Sequence, residues 1–326
     1  MKLQNLILWN HRPGHRDPQK PLSPANPIFL ETVLTKLDRD DIATIPAVLE
    51  RLIREGDNAT ASPTLRNLFD LDMAATCRLL RVANSCDYVR NGQRHVNSIS
   101  DAIERLGNRR TAEIAASITA SKLFRQNPAL GVYNATELWK HSVGVAIISR
   151  RIYGELFGPE CPRTDPYLAG LLHDIGIAVE HGFFYNQGFA EAIKQQVANN
   201  SVLTDEEQKV LGLTHEDVGR AVGTHGHFSK DLTLLIGHHH HRCPEGCDLE
   251  FQRLFHVLKL ADWLCSVLEF GYSDLGREKD DESTLRESLS FLDLSLEKIE
   301  SLALAAQQEL NQMERTGWFP VLRLRE

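Results

Sequence analysis

The chain has 326 residues, 42% hydrophobic and 25% charged, with a formal net charge of −8 and a pI near 6.0. That length buries a sizeable core and allows two or three subdomains. The acidic balance excludes the basic surface on which sequence-independent nucleic-acid binding rests, so no nucleic acid is expected as a partner.

No apolar run approaches the roughly 20 residues that span a bilayer, and Met1 to Asn10 lacks the plan of a secretion signal. Residues 1–28 hold five of the thirteen prolines and few periodic apolar positions, which predicts an extended surface arm. From Phe29 the periodicity is helical. Leu30, Val33, Leu34 and Leu37 make one stripe, and Ile45-Pro46 opens a second helix that stops at Gly56. Ser62-Pro63 caps a short helix from Thr64 to Phe69, and Met73 to Val82 carries the next. Ser98 to Asp101 caps a helix that ends at Gly107, followed by an Ala- and Ile-rich one from Thr111 to Phe124.

The second half continues the pattern. Asn134-Ala135-Thr136-Glu137 resembles a capping box and opens a helix of some twenty residues with His141 on its apolar stripe. Asp165-Pro166 starts a helix expected to contain His173 and Asp174. Further helices are predicted over Phe183 to Asn199, from Thr204, over His215 to Val222, Leu232 to His239 and Phe251 to Phe270. Asp274 to Asp281 reads as a charged loop, and Leu285 to Arg315 as one or two amphipathic helices suited to a homodimer interface. Strand signals are nearly absent, so the expected fold is all-α.

One stretch stands out. In Gly170-Leu171-Leu172-His173-Asp174-Ile175-Gly176 an adjacent His and Asp interrupt an apolar segment, and buried polar groups need partners. Four other segments offer matching groups: His141, His215, the run His238-His239-His240-His241, and Asp262. Singly, each histidine reads as a hydrogen-bonded core residue, Asp262 as a partner for Arg253 or Lys259, and the run as a solvated loop. Jointly they form a metal-ligand pattern of the kind built inside helix bundles from facing helices. Imidazoles with carboxylates and no thiolate suit two divalent transition metals such as Fe, Mn, Zn or Ni. Two metals bridged by one carboxylate can activate water and clamp a phosphate.

The ordered motifs resemble the HDOD-type signalling branch of the HD superfamily of metal-dependent phosphohydrolases, over roughly Asp41 to Phe270. In the front half they are Ile45-Pro46, Leu79-Leu80-Arg81-Val82-Ala83-Asn84-Ser85 and Ala102-Ile103-Glu104-Arg105-Leu106-Gly107. In the back half they are Leu138-Trp139-Lys140-His141-Ser142, the His173-Asp174 stretch, and Gly212-Leu213-Thr214-His215-Glu216-Asp217-Val218-Gly219. The resemblance implies a helical N-terminal subdomain at 29–130, an HD-type bundle at 131–270 and a helical tail at 271–326. It implies a first metal held by His141, His173, Asp174 and Asp262. Asp174, the catalytic centre, would bridge to a second metal held by His215 and the histidine run. Spacing from Ile236 favours His239 and His240; a one-residue slip gives His238 and His239.

Many relatives have lost these ligands and serve as non-catalytic signalling or scaffold modules, whereas this chain keeps them. A phosphorylated small molecule or nucleotide is the implied substrate, and a signalling protein the implied partner. HD-type cyclic-dinucleotide hydrolases carry a lysine after His-Asp-Ile-Gly and a Gly-Tyr-Pro element after the paired histidines. Here stand Ile177 and Arg242-Cys243-Pro244-Glu245-Gly246-Cys247, so cyclic di-GMP hydrolysis is not supported.

Smaller features favour plainer readings. Six dispersed cysteines do not make a disulfide scaffold, and reduced thiols in a cytoplasmic protein are expected. Cys243 and Cys247 read as a turn rather than a zinc site. His225 and His227 read as surface residues, Arg109, Arg110, Arg150 and Arg151 as a solvated face, and Cys77 and Cys86 as packing residues.

Overall fold

The computed structural model describes residues 73–85, 95–121, 124, 129–130, 133–158, 162–273 and 282–316, with isolated residues 31, 32, 35, 65, 69 and 70 before them. The predicted arm, the loop at Asp274 to Asp281 and, apart from residues 31, 32 and 35, the helices from Leu30 to Gly56 lie outside the described residues. So does the Ser62-Pro63 cap, and with it all but Leu65 and Phe69 of the short helix it opens. Among the described residues no strand forms, and Leu130 and Tyr133 make an isolated antiparallel bridge. The fold is all-α, as expected. No helix among the described residues is long and apolar enough to cross a membrane.

In the front half the helices are α1 (Met73–Ala83), α2 (Ile99–Leu106) and α3 (Asn108–Ser121). The Asn84 amide donates to Val96 O at 2.8 Å and accepts from Val96 N at 2.8 Å, pairing with that backbone as a strand neighbour would. Arg105 on α2 donates to Ala83 O at 3.1 Å and to Asn84 Oδ1 at 3.3 Å. Two of the three front-half motifs, Leu79–Ser85 and Ala102–Gly107, therefore clasp each other, a structural role. Cys77 is exposed rather than packed, because it sits on the outer face of α1.

The back half runs through α4 (Ala135–Phe157), α5 (Pro166–Leu172), α6 (Ile175–Phe183), α7 (Phe189–Asn199), α8 (Leu203–Val210), α9 (His215–His225), α10 (Lys230–Ile236), α11 (Leu249–Val267), α12 (Glu282–Phe291) and α13 (Leu296–Thr316). Helix starts follow side-chain chemistry. Asn134 Oδ1 accepts from Glu137 N, Asp165 Oδ1 from Tyr167 N and Leu168 N ahead of Pro166, and Thr214 forms a full capping box with Asp217. Each such cap contributes about 1 kcal/mol.

Helix α4 is the axis, buried along most of its length and packed between α5 and α11. Its contact with α5 is a backbone contact: a Cβ on Gly170 would lie 2.6 Å from both Cα and N of Ala146. The apolar stripe of α13, including Leu302, Ala306 and Leu310, is buried within the chain itself. Glu309 on the same helix pairs with Arg110, Arg150 and Arg151. The four arginines are thus not a solvated face; Glu113, Glu309 and Asp165 engage all of them.

Three predicted helices break. His173 and Asp174 lie between α5 and α6 rather than inside one helix, with Asp174 at φ −98° and ψ 21°. The segment Phe183 to Asn199 divides at Gly188, whose φ of +131° is left to glycine, after a 3₁₀ turn at Tyr185–Gln187. The helix predicted to reach His239 stops at Ile236, and Gly237 to His240 form a turn that ends in a bend at His241.

Candidate metal centre

The breaks build the site. Ending α5 at Leu172 and restarting at Ile175 leaves His173 helical in its backbone angles (φ −55°, ψ −39°) and turns Asp174 away from them, so the pair escapes the helical spacing in which neighbours in sequence do not face each other. Gly176 lets α6 press on the start of α9: a Cβ there would collide with the His215 carbonyl oxygen. The turn after α10 brings the histidine run to the same spot. Asp262 comes from α11 and His141 from α4.

The result is two donor groups sharing one carboxylate. In the first, His141 Nε2 lies 3.3 Å from His173 Nε2 and 3.2 Å from Asp262 Oδ1. Asp174 Oδ2 lies 3.2 Å from His173 Nε2 and 3.6 Å from His141 Nε2. In the second, Asp174 presents its other oxygen: Oδ1 is 3.1 Å from His239 Nε2 and 3.8 Å from His215 Nε2. His240 Nε2 closes on His215 Nε2 at 3.0 Å. His238 lies outside the group, its Nδ1 donating to Leu234 O. Every sequence-predicted site residue except His238 is therefore brought together. Asp262 pairs with His141, because α11 turns it inward among buried residues.

The tautomers decide what these contacts mean. His173 Nδ1 donates to Gly170 O at 2.8 Å, His239 Nδ1 to Ile236 O at 2.8 Å, and His215 Nδ1 to Glu207 Oε2 at 2.8 Å. With the proton on Nδ1, each neutral ring turns an Nε2 lone pair toward other lone pairs or a carboxylate. Those contacts repel unless a proton or a cation lies among them.

Burial opposes such protons, and neighbouring carboxylates favour them. Burial lowers the His173 and His215 pKa values, yet Asp174 and Glu207 respectively raise them, His215 to about 9. His239 is lowered, chiefly by burial. Asp174, despite burial, is held well below the usual range by His173 and His239. A cation fits the distances: with metal–donor bonds of about 2.1 Å, ligand atoms at 90–120° stand roughly 3.0–3.6 Å apart. The donor separations fall in or just beyond that range. Nitrogen and carboxylate donors without thiolate suit Fe, Mn, Zn or Ni.

Around these donors lies a shell that local sequence patterns do not mark. Glu207 also accepts from His215 N at 2.9 Å. Glu216 accepts from His240 N at 2.9 Å and pairs with His241 Nε2 at 3.0 Å; although burial opposes it, His241 and His239 hold its pKa at about 2. Lys259 donates to His239 O and His241 O at 3.0 and 2.9 Å, fixing the turn. Only the path of the fold from Glu207 on α8 to Lys259 on α11 joins them. Ile177 is buried in the hydrophobic cluster, and Cys243 and Cys247 are free thiols packed at its edge. Both thiol pKa values are raised, first by burial, Cys243 to about 12.

A profile of the HDOD domain matches residues 42–242. No curated protein matches the chain. Among solved structures, an "HDOD domain protein with unknown function" from Geobacter sulfurreducens is 24% identical with a TM-score of 0.64, covering 90% of this chain and 100% of its own. A "Putative phosphohydrolase" from Shewanella amazonensis is 19% identical with a TM-score of 0.58, covering 87% and 98%. A "Putative signal transduction protein" from Marinobacter aquaeolei is 18% identical with a TM-score of 0.62, covering 93% and 68%. These likenesses are of fold.

Proposed function

The chain belongs to the HDOD domain family, and we propose that it is a metal-dependent phosphohydrolase of HDOD type, holding two divalent ions and acting in signal transduction. The observation that supports this best is the division of Asp174, one oxygen facing His141, His173 and Asp262 and the other facing His215, His239 and His240. When bound, two such ions supply an activated water and a clamp for phosphoryl oxygens. The chain's own residues would do the rest. Asp174 would bridge, His173, His215 and His239 hold their Nε2 lone pairs inward through Nδ1–H bonds, and burial keeps bulk water from the donors. Half-buried His240 is the edge of the site nearest solvent, where a phosphorylated small molecule or nucleotide would enter. The names borne by the Shewanella and Marinobacter structures agree with this reading.

A second reading, a non-catalytic signalling module with a structural metal, is favoured by Ile177 and Lys259. Ile177 is buried where a lysine would stand in HD-type cyclic-dinucleotide hydrolases, and the Lys259 ammonium donates to backbone carbonyls.

One experiment separates the two. Protein purified without a histidine tag is assayed for metal content, then for turnover on phosphomonoesters, nucleotides and cyclic dinucleotides, alongside Asp174→Ala. Two ions per chain with turnover abolished by the substitution supports the hydrolase. Two ions with no turnover supports the module. No stoichiometric metal refutes both.

A further inference from the structure

Between α4 and α13 runs a polar groove in which the metal centre has no part. Ala305, Gln308, Gln312 and Arg315 recur at helical spacing, so they form one stripe of α13. With Glu309, and with Arg151 of α4, they line a space of about 460 Å³, a volume typical of small-molecule sites.

The groove has unused donors. Among the described residues, the side chains of Gln308, Gln312 and Arg315 meet no hydrogen-bond or ion-pair partner. It also has unmatched positive charge. Glu309 accepts from Arg151 Nε at 3.0 Å and from Arg110 and Arg150. Glu113 engages Arg109, Arg110 and Arg150, and Asp165 engages Arg109. With Arg315 included, the guanidiniums of this cluster outnumber its carboxylates five to three, in a chain of net charge −8. The nearby acids Glu155 and Glu314 are matched by Lys298 and Lys140. A guanidinium with free N–H donors has the forked shape that grips a phosphate. No aromatic or long apolar side chain lines the groove, so a nucleobase would find nothing to stack on. Two side-chain amides, which both donate and accept, suit hydroxyl groups instead.

We propose that this groove binds a sugar phosphate, with the phosphate on Arg315 and Arg151 and the hydroxyls on Gln308 and Gln312. His141 and Arg151 share α4 but stand about 15 Å apart along it, so the groove is separate from the metal centre.

Calorimetric titration of the full chain tests this, with ribose 5-phosphate as the probe and ribose and inorganic phosphate as controls. EDTA treatment beforehand removes any ion that would bind phosphate, so the outcome is independent of the metal reading. One equivalent of ribose 5-phosphate should bind, inorganic phosphate should bind more weakly, and ribose should not bind. Arg315→Gln removes a charged donor and should weaken binding roughly 10- to 100-fold. Gln312→Glu sets a carboxylate in the groove and should weaken it by at least about tenfold. Both variants should keep the wild-type Tm, because neither side chain is buried. Absence of ribose 5-phosphate binding to the wild type at millimolar concentration overturns the proposal. So does a control that binds as tightly as the probe, or unchanged affinity in either variant.

Discussion

Gly176→Ala is the sharpest perturbation of the site that alters none of its donors. The added Cβ would collide with the His215 carbonyl oxygen and stand 2.7 Å from its carbon and 3.0 Å from Gly219 N. All three obstacles are backbone, so no side chain can rotate away. Restoring ordinary contact requires α6 and α9 to part by on the order of 1 Å, and overpacking of this kind costs about 1–3 kcal/mol. A ligand site tolerates only about 0.2 Å. His215 would move away from Asp174, while His141, His173 and Asp262, which come from α4, the α5–α6 break and α11, keep their places. The expected result in urea denaturation is a loss of about 1–3 kcal/mol, with at least a tenfold loss of the second ion's affinity and retention of the first. Gly154→Ala is the control: nothing lies within 4 Å of its Cβ, and helix propensity predicts a gain of up to about 1 kcal/mol. If Gly176→Ala behaves like Gly154→Ala and binds two ions as wild type does, the reasoning from helix contact to site geometry is wrong.

Chelation should destabilise the folded chain, because ions bound only in the native state contribute RT ln(1 + [L]/Kd), about 2.7 kcal/mol at a hundredfold excess over Kd. Calorimetry should show a lower Tm after EDTA in wild type and no EDTA effect in Asp174→Asn. Acid should act through His256, which bonds Ser288 and stacks on Phe291; burial, then Lys259, push its pKa down to about 4. The folded pKa lies below the unfolded one, so its contribution is complete above pH 6.5 and is lost as pH falls toward 4, with a ceiling of about 3 kcal/mol before solvent screening. His256→Leu should flatten the stability-versus-pH slope in that window; an unchanged slope would remove His256 from the account. Burial raises the Glu309 pKa, but Arg150, Arg110 and Arg151 hold it below the usual range. Glu309→Gln should therefore loosen α13, costing about 1–3 kcal/mol, and limited proteolysis should cut first in that helix. Equal protease resistance in the variant would show that apolar burial alone docks it.

What the sequence makes legible follows from what leaves a local mark. Histidines and an aspartate on apolar segments are rare enough that five such segments identify a common centre. The resemblance then orders them. The register of the histidine run stays open in sequence because four identical residues carry no phase; the end of α10 at Ile236 sets it, turning His239 and His240 inward and His238 toward Leu234 O. Glu180, Glu207 and Glu216 leave no such mark. Each sits in a segment whose composition is satisfied by a solvated acid, and only the packing of α6, α8 and α9 buries them. The four arginines fail for the converse reason. Pairs at Arg109-Arg110 and Arg150-Arg151 look like an exposed face until α13 returns from the far end of the chain with Glu309.

The break at His173-Asp174 is the hardest feature to foresee and the one the site depends on most. Apolar residues run from Leu168 through Val179 with the same periodicity on both sides, so nothing in the pattern marks an interruption. Yet an unbroken helix would separate adjacent side chains by about 100° around its axis. His173 and Asp174 could then not both turn inward, nor come within 3.2 Å of each other. Asp174 instead occupies the sparsely populated bridge region at φ −98° and ψ 21°, where many active-site residues sit. The conformation costs local hydrogen bonding, and the contacts of Gly170 with α4 and Gly176 with α9 hold both flanking helices in place to sustain it. One carboxylate can serve two groups of histidines only because the helix that carries it stops for two residues.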